Sequence, residues 1–346
     1  MEDKLEEILK QYPFQVLARK RTRGAFLLDT TYGLRLLKES GASPARILFE
    51  ESIKQRLMDQ GYIEVDKTCR NKKEEYLTKD LYHNHWVVRH WYPGNECNIR
   101  ENREILRGAR HLGRLHKMLY LGKDFQIVPE TGEEEPEENP AIQPYEQKES
   151  IPQEMQRHNA ELKRVRSYIR RKRQKNEMEI CLLNAFETFY QQAGLAQTLL
   201  RESGYEAVWD RTVQQKRICH GNYTYHNILF DGTKTITTNF DRAQVGLQIR
   251  DLYDFLRKVM EKNGWRGELG RRIIDAYQSE RALEDGEGEI LYALLLYPEK
   301  YWKLVNFYYN GRKSWMPAKN LEKLLRIRGQ QDARNAFLEE IKGVLF

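Results

Sequence analysis

The chain has 346 residues, 40% of them hydrophobic and 32% charged, which is long enough for two domains with sizeable cores. Its charged first segment, MEDKLEEILKQY, differs from a signal or transit peptide, and the sequence contains no apolar run of the roughly 18 residues that would predict a membrane span. Four cysteines lie far apart without the spacing of a metal site, so we expect free thiols in a reducing cytoplasm: Cys69, Cys97, Cys181 and Cys219.

The net charge of +7 is unevenly distributed. Residues 130–149 hold eight acidic residues and one basic residue, and their Pro- and Glu-rich composition predicts a mobile acidic loop over 129–150. Residues 157–175 hold nine basic residues and one glutamate, with apolar positions close to helical spacing. One interpretation is a solvated helix face with the acidic loop as its neighbour, and the other is a docking surface at 163–175 for an acidic partner. No nucleic-acid-binding module accompanies the charge, so we expect no nucleic-acid partner.

The first part of the chain alternates strand and helix patterns. Three short strand-like runs separated by turn residues predict an antiparallel meander: residues 14–17, 23–28 and 32–38. A helix is predicted next, up to Gly61, with Ser43 as its N-cap and Pro44 at its first position. Residues 76–91 return to a strand pattern, and a Pro-Gly pair then breaks the chain.

Helical periodicity dominates the remainder, with apolar residues at helical spacing over 105–119 and 182–200. Two strand-like runs flank an Asp-Gly pair at 231–232 and predict a hairpin. The aromatic-rich stretch 290–309 has Pro298 near its middle, which predicts two shorter helices or a kink.

This order of elements predicts an α+β fold of the bilobal, protein-kinase-like type. A small antiparallel-sheet N-lobe, with strands and one helix, would occupy residues 1–92. A larger, mainly helical C-lobe would occupy residues 93–346 and carry both the catalytic-loop hairpin and the acidic loop.

The segment CHGNYTYHN, at residues 219–227, carries the strongest catalytic signal. Kinase-type phosphotransferases use one Asp to orient and deprotonate the attacking hydroxyl, an Asn five residues later and an Asp on the next strand to hold magnesium. Here Asn222 stands at the base position, and Asn227 and Asn239 stand at the two metal positions. An amide takes up no proton at neutral pH and carries no charge to offset Mg²⁺. Asp241 is the carboxylate that remains near the expected metal site.

Cofactor-binding residues are predicted in the first part of the chain. Lys38 ends a strand and would reach the phosphates of a nucleotide, and a carboxylate on the following helix would pair with it. Spacing favours Glu50 for this pair, with its neighbour Glu51 as the alternative. The strand ahead of the chain break would line an adenine pocket, with Val88 and His90 as its cofactor-binding residues.

In this order the motifs resemble the aminoglycoside phosphotransferase and choline-kinase-like superfamily, and within it the CotS-type spore coat proteins. The resemblance covers nearly the whole chain, including CHGNYTYHNILF, the triplet NFD at 239–241 and the late stretch LLYPEKYW at 295–302. It implies a bilobal kinase-like fold and spore coat proteins as partners. It also implies a location in the mother-cell cytoplasm and then in the spore coat.

The departures from the family pattern bear on activity. Family members commonly keep Asp where this chain has Asn222 and Asn239, and loss of a catalytic base costs roughly 10²–10⁴-fold in rate. Only one glycine, Gly24, stands where a glycine-rich loop would cover the phosphates. We therefore expect ATP and Mg²⁺ to bind weakly or not at all, and we favour a pseudokinase scaffold. The alternatives are an active ATP-dependent phosphotransferase, acting on a coat protein or a small hydroxyl- or amine-bearing substrate, and a nucleotide-sensing interaction module.

Overall fold

The computed structural model describes residues 2–122, 125, 145–310 and 317–345. The chain divides into two compact units. Unit 1 comprises Met1–Glu146 and Gln215–Val245, and unit 2 comprises Gln147–Gln214 and Gly246–Phe346. The predicted boundary after residue 92 is not one of these division points and stays a prediction. Most of the predicted acidic loop lies outside the described residues.

In chain order, the helices are α1 (Glu2–Leu9), α2 (Pro44–Asp59), α3 (Asn102–Met118), α4 (Ile151–Arg171), α5 (Glu177–Glu202), α6 (Tyr205–Gln214), α7 (Ile249–Lys262), α8 (Gly267–Gln278), α9 (Glu287–Leu296), α10 (Glu299–Asn310), α11 (Pro317–Gly329) and α12 (Gln331–Leu345). The strands are β1 (Val16–Thr22), β2 (Ala25–Thr30), β3 (Gly33–Ser40), β4 (Thr78–Lys79), β5 (His85–His90), β6 (Asn95–Glu96), β7 (Ile218–Cys219), β8 (Ile228–Asp231), β9 (Lys234–Thr237) and β10 (Gln244–Val245).

Unit 1 contains a five-stranded antiparallel sheet in the order β1-β2-β3-β5-β4, so the predicted meander is confirmed. Thr22 pairs with Ala25, which leaves a two-residue turn at Arg23-Gly24. Gly24 has a φ of +65°, a conformation that glycine adopts without strain. The hairpin tip is therefore a tight turn and not an extended glycine-rich loop.

Helix α2 begins as the sequence predicts. The Ser43 side chain accepts a hydrogen bond from the Arg46 backbone N–H, and Pro44 occupies the first helical position. A separate apolar core joins α1 to the sheet, and its buried members include Tyr12, Leu37 and Trp86. This packing fixes the strand that carries Lys38.

Two smaller sheets in unit 1 hold the loops of the predicted catalytic segment. One has the order β6-β8-β9 and the other pairs β7 with β10. The β8–β9 hairpin is confirmed, with Asp231 paired to Lys234 so that the turn lies at residues 232–233. Together the two sheets place the loop 220–227 and the residues after β9 close together.

Unit 2 is built from helices. A buried cluster joins α4, α5, α10 and α11, with Leu162, Phe186 and Tyr301 among its members. Pro298 lies between α9 and α10, so the prediction of two helices in place of one is confirmed. Over the described stretches of the chain, no helix is both long and apolar enough to span a bilayer.

Candidate functional site

The loop between β7 and β8 carries the predicted residues Asn222 and Asn227. The Asn227 side-chain amide donates to the Asn222 carbonyl oxygen at 2.8 Å, and the Asn222 backbone N–H donates to His220 Nδ1 at 3.2 Å. His220 is fully buried, and its Nε2 lies 3.1 Å from the Thr238 carbonyl oxygen. The histidine therefore supports the loop from inside, and the loop holds the two asparagines together.

Gly221 lets this loop pass close to the segment that follows β9. Its φ is +71°, and a Cβ at this position would collide with the carbonyl oxygen of Arg242. A side chain would meet both backbone strain and a backbone atom that cannot move aside. The glycine is thus required by the close approach of the two segments.

Asn239 and Asp241 lie where β9 leads into a 3-10 turn, Phe240–Arg242. Asn239 has a φ of 69°, which Asn tolerates better than most residues, and its backbone N–H donates to Asp66 Oδ2 at 2.8 Å. Lys38 Nζ lies 3.4 Å from Asn239 Oδ1 and 3.5 Å from Asp241 Oδ2. Asp241 Oδ1 is buried and has no hydrogen-bond partner in the described part of the chain. The Lys38 ammonium therefore lies near two side-chain oxygens, and only the oxygen of Asp241 belongs to a charged group.

Five buried charged residues form what we call the buried ion cluster: Glu50, Glu51, Lys54, Asp66 and Arg89. Lys54 Nζ lies 3.0 Å from a Glu50 oxygen, 2.9 Å from Glu51 and 3.3 Å from Asp66. Arg89 lies 2.7 Å from Glu50 and 2.9 Å from Asp66. The cluster connects α2, the segment after it and β5. Through Asp66 it also reaches the backbone of Asn239.

The members of the buried ion cluster keep one another charged. Burial alone would raise the pKa of the Glu50 and Asp66 carboxyls, but Arg89 and Lys54 outweigh it, so both pKa values lie below their ordinary range. Burial would lower the pKa of the Lys54 ammonium, but the carboxylates around it raise that pKa. Removal of one partner would leave an uncompensated charge in the interior.

The predicted ion pair between Lys38 and Glu50 is wrong. Glu50 pairs within the buried ion cluster, whereas the salt bridge of Lys38 reaches Asp241. Lys54 follows Glu50 by four residues on the same helix, and this spacing gives Glu50 a partner one turn away. The alternative partner, Glu51, is also bonded to Lys54.

Val88 and His90 lie on β5, and the segment 65–69 runs beside them. The Val88 side chain is fully buried in the apolar core of the sheet, and its carbonyl oxygen accepts from the Cys69 N–H at 2.7 Å. The His90 N–H donates to the Lys67 carbonyl oxygen at 2.8 Å. Burial, with Arg35 and Lys67 nearby, lowers the pKa of His90 to about 4, so this ring is neutral at pH 7. Because these backbone groups are already bonded, an adenine contact at Val88 and His90 stays a prediction.

A family model described as "Spore coat putative kinase YutH" matches residues 6–341 of the chain. This match spans nearly the full length and therefore decides the family. The chain belongs to the YutH family of spore coat kinases.

Solved structures show the same fold. An aminoglycoside phosphotransferase from Alicyclobacillus acidocaldarius superposes with a TM-score of 0.84 at 16% identity, covering 98% of this chain and 96% of that one. Spectinomycin phosphotransferase APH(9)-Ia gives 0.61 at 12% identity, covering 98% of both chains. The amicoumacin kinase hAmiN gives 0.59 at 14% identity, covering 97% of this chain and 93% of that one. The predicted α+β, kinase-like fold and the resemblance to spore coat kinases are confirmed.

For this member of the YutH family, the residues fit a magnesium ion that binds together with a nucleotide. Proteins usually hold Mg²⁺ with one or two carboxylates plus substrate phosphates. Asp241 offers the buried, unpartnered Oδ1, and Asn227 and Asn239 offer amide oxygens. Among the residues that the structure describes, no group of three or more His, Cys, Asp or Glu side chains would hold a metal without a nucleotide.

Sequence reasoning missed Asp66, Lys54 and Arg89. Asp66 joins the buried ion cluster to the Asn239 backbone, so it sets the position of the 3-10 turn that follows Asn239. A signal was present for Arg89, because an arginine inside the apolar strand HWVVRH needs a buried acidic partner. Nothing in the local sequence around Asp66 indicates its contact with Asn239, which lies 173 positions further along.

Proposed function

We propose that this chain serves the spore coat as a kinase-fold scaffold with little or no phosphoryl transfer, made in the mother-cell cytoplasm and then placed in the coat. The supporting observation is the pair of amides at Asn222 and Asn239, in a loop and a turn that hydrogen bonds to Asn227 and Asp66 hold in place. Asn222 can hydrogen-bond to a hydroxyl group and orient it, but it cannot take the proton. Asn239 gives Lys38 and a metal a neutral ligand in place of a charge.

Nucleotide binding, where it occurs, would use the same residues. Lys38 would contact the phosphates, and Asp241, Asn227 and Asn239 would hold the metal. When bound, Mg²⁺ neutralises charge that develops on the transferred phosphoryl group. Two of the similar structures, the spectinomycin phosphotransferase and the amicoumacin kinase, are described in complex with ADP and with AMP-PNP and Ca²⁺. These complexes favour a nucleotide site here, with weak affinity because one carboxylate is available.

Calorimetry and a phosphoryl-transfer assay test the proposal. The wild type and the double variant Asn222→Asp/Asn239→Asp would be titrated with ATP in the presence of Mg²⁺ and then assayed for ATP turnover. We expect turnover only in the double variant, with a gain of roughly 10²–10⁴-fold over background from the restored base. Asn335→Asp is the matched control, because it makes the same chemical change at an exposed site on α12. Mg²⁺-dependent transfer by the wild type would contradict the scaffold proposal.

The alternative, an active phosphotransferase, is favoured by a separate observation. Lys38 and Asp241 are placed together, and a loose phosphoryl-transfer transition state needs little help from a base. This alternative predicts that ATP raises the melting temperature of the wild type and that Lys38→Ala removes the effect. A flat melting curve at millimolar ATP, with and without Mg²⁺, would count against it.

We propose a second role for α4 as a docking surface for an acidic partner. The exposed cations Lys163, Arg164, Arg170, Arg171 and Arg173 form what we call the basic face. None of them has an ion-pair partner within the described residues. Replacing Arg164, Arg170 and Arg171 by Gln should abolish capture of acidic coat components, and unchanged capture would rule out this role.

A further inference from the structure

The basic face differs from three other cations of the same stretch, Arg157, Arg166 and Lys172, which already have acidic partners. Arg157 donates twice to Glu149, each time at 2.9 Å, and Lys172 lies 2.6 Å from Glu179. By contrast, Arg171 donates to a backbone carbonyl on its own helix, and Lys163 lies over the ring of Tyr190. The fold thus neutralises part of the stretch and leaves one side of α4 positively charged.

Helix geometry concentrates this charge. At about 100° of rotation per residue, the four members of the basic face on α4, from Lys163 to Arg171, fall within an arc of about 120°. The opposite side, with Leu162, Val165 and Ile169, is buried in unit 2. The charged arc is about 12 Å long at 1.5 Å per residue, and Tyr168, which is 50% exposed, borders it. An extended anionic chain would fit along such a surface better than a single small anion.

The same chain carries a segment of the complementary charge. Residues 130–138 hold six glutamates and no basic residue, and they lie outside the described residues. Nine residues reach at most about 30 Å, more than twice the length of the charged arc. Charge and length therefore both match, and no second protein is needed to supply the partner.

We propose that the basic face binds the acidic segment 130–138 of a second copy of this chain. This inference rests on the docking role proposed above and names its partner. Because the two surfaces differ, the contact is heterologous, and each copy carries one acidic segment and one basic face. Such contacts extend into open assemblies unless a rotation closes them, which suits a protein that forms part of a coat. Exposed ion pairs are individually weak and screened by salt, so association should require several pairs and fall as ionic strength rises.

Sedimentation of the purified full chain with two charge-reversal variants tests this. In one variant the face is reversed (Arg164→Glu/Arg170→Glu/Arg171→Glu), and in the other the segment is reversed (Glu133→Lys/Glu134→Lys/Glu135→Lys). We expect the wild type to associate with rising concentration at about 50 mM salt and to dissociate at about 500 mM. Each variant alone should associate at least about tenfold more weakly. An equimolar mixture of the two should associate again, because each reversed surface then meets its complement.

A matched control carries Lys319→Glu/Lys323→Glu/Lys342→Glu, three reversals at exposed positions of α11 and α12, and should associate more readily than the face variant. Circular dichroism and thermal melting of each variant confirm that it is folded. A wild type that stays monomeric at about 100 µM and low salt overturns the proposal. The proposal is also overturned if the equimolar mixture of the two variants fails to associate, or if only the face variant loses association. A salt-dependent change in size without concentration dependence also overturns it, because the segment then acts within one chain. The scaffold proposal is decided separately, by ATP turnover of the wild type, so failure of one proposal is distinguishable from failure of the other.

Discussion

Two lysines of unit 1 meet contrasting surroundings. Lys54 is fully buried and contacts three carboxylates of the buried ion cluster. The Lys38 side chain is 36% exposed and lies beside one carboxylate, Asp241, and one amide, Asn239. The residues around Lys54 hold α2, β5 and the backbone of Asn239 together, whereas those around Lys38 would meet a nucleotide in the proposed function.

The contrast shows where this chain places its carboxylates. Acidic side chains occupy the buried ion cluster. Amides, Asn222 and Asn239, occupy the two positions at which phosphoryl transfer would need a proton acceptor and a charged metal ligand. Asp66 connects the two regions, because the same carboxylate accepts from Arg89 and from the Asn239 backbone. The buried ion cluster and the residues beside Lys38 are therefore joined through one carboxylate.

The largest expected effect is a loss of stability when Lys54 is removed from the buried ion cluster. Lys54→Met removes the shared cation and leaves the clustered carboxylates with Arg89 alone, so we expect a loss of about 3–5 kcal/mol in the free energy of unfolding. Urea denaturation followed by tryptophan fluorescence measures it. Lys342→Met is the matched control on an exposed helix position and should stay within about 0.5 kcal/mol of the wild type. A loss below about 1 kcal/mol for Lys54→Met would show that the cluster does not brace the fold.

The next-largest expected effect is on stability and tests the close approach of Gly221 to Arg242. Gly221→Ala and Gly24→Ala both place a side chain at positive φ, but only the first meets the Arg242 carbonyl. We expect a loss of about 3 kcal/mol for Gly221→Ala, from strain and overpacking together, and about 1 kcal/mol for Gly24→Ala, from strain alone. Denaturant midpoints measure both. Equal losses would mean that the approach of the two segments relaxes readily and does not set the position of Asn222.

A pH effect should arise at His111, which supports β9. Its Nε2 lies 2.9 Å from Thr237 Oγ1 and 3.0 Å from the Tyr62 hydroxyl. Burial, with Arg114 and Arg107 nearby, lowers its pKa from 6.5 to about 3. At His111 the unfolded chain therefore binds a proton below pH 6.5 that the folded chain does not, so the contribution of this residue is full above that pH and falls by about 2 kcal/mol at pH 5.

The variant His111→Gln retains a hydrogen-bonding group and removes one titration, so its stability should fall by about 2 kcal/mol less than that of the wild type between pH 7 and pH 5. The remaining slope comes from other histidines with lowered pKa values, such as His90. Unfolding curves at several pH values compare it with the wild type. Glu50 and Asp66 have lowered pKa values and their stabilisation is lost only at more acidic pH, below about 4.5. A wild-type slope that persists unchanged in His111→Gln would show that His111 is not its source.

The sequence predicted the helices and strands well because they depend on local patterns. Strand alternation, the Ser-Pro start of α2 and Pro298 are properties of a few neighbouring residues. Asn222 and Asn227 share one loop, and the β8–β9 hairpin then leads to Asn239 beside Lys38, whereas the catalytic and metal-binding roles of these residues stay predictions.

Prediction failed where an ion-pair partner is distant in the chain, or where two cations could pair with the same carboxylate. The pairing of Glu50 depended on a choice between Lys38, on another strand, and Lys54, one helical turn away, and the local partner is the one observed. The buried ion cluster needed knowledge of which charges are buried, and composition alone does not supply it. The adenine contact expected at Val88 and His90 stays a prediction, and backbone groups of both residues are bonded to the segment 65–69.

The smallest expected effect on stability concerns Lys38, the partly exposed lysine of the pair compared above. Lys38→Met should change the free energy of unfolding by less than about 1 kcal/mol, because its contacts are 3.4–3.5 Å long and partly exposed to solvent. The same variant should lose whatever stabilisation millimolar ATP and Mg²⁺ give the wild type in a thermal melt. Lys67→Met, on the neighbouring segment, is the control and should keep that stabilisation. If Lys38→Met destabilised the chain as much as Lys54→Met, the role of Lys38 would be to stabilise the fold and not to bind a nucleotide.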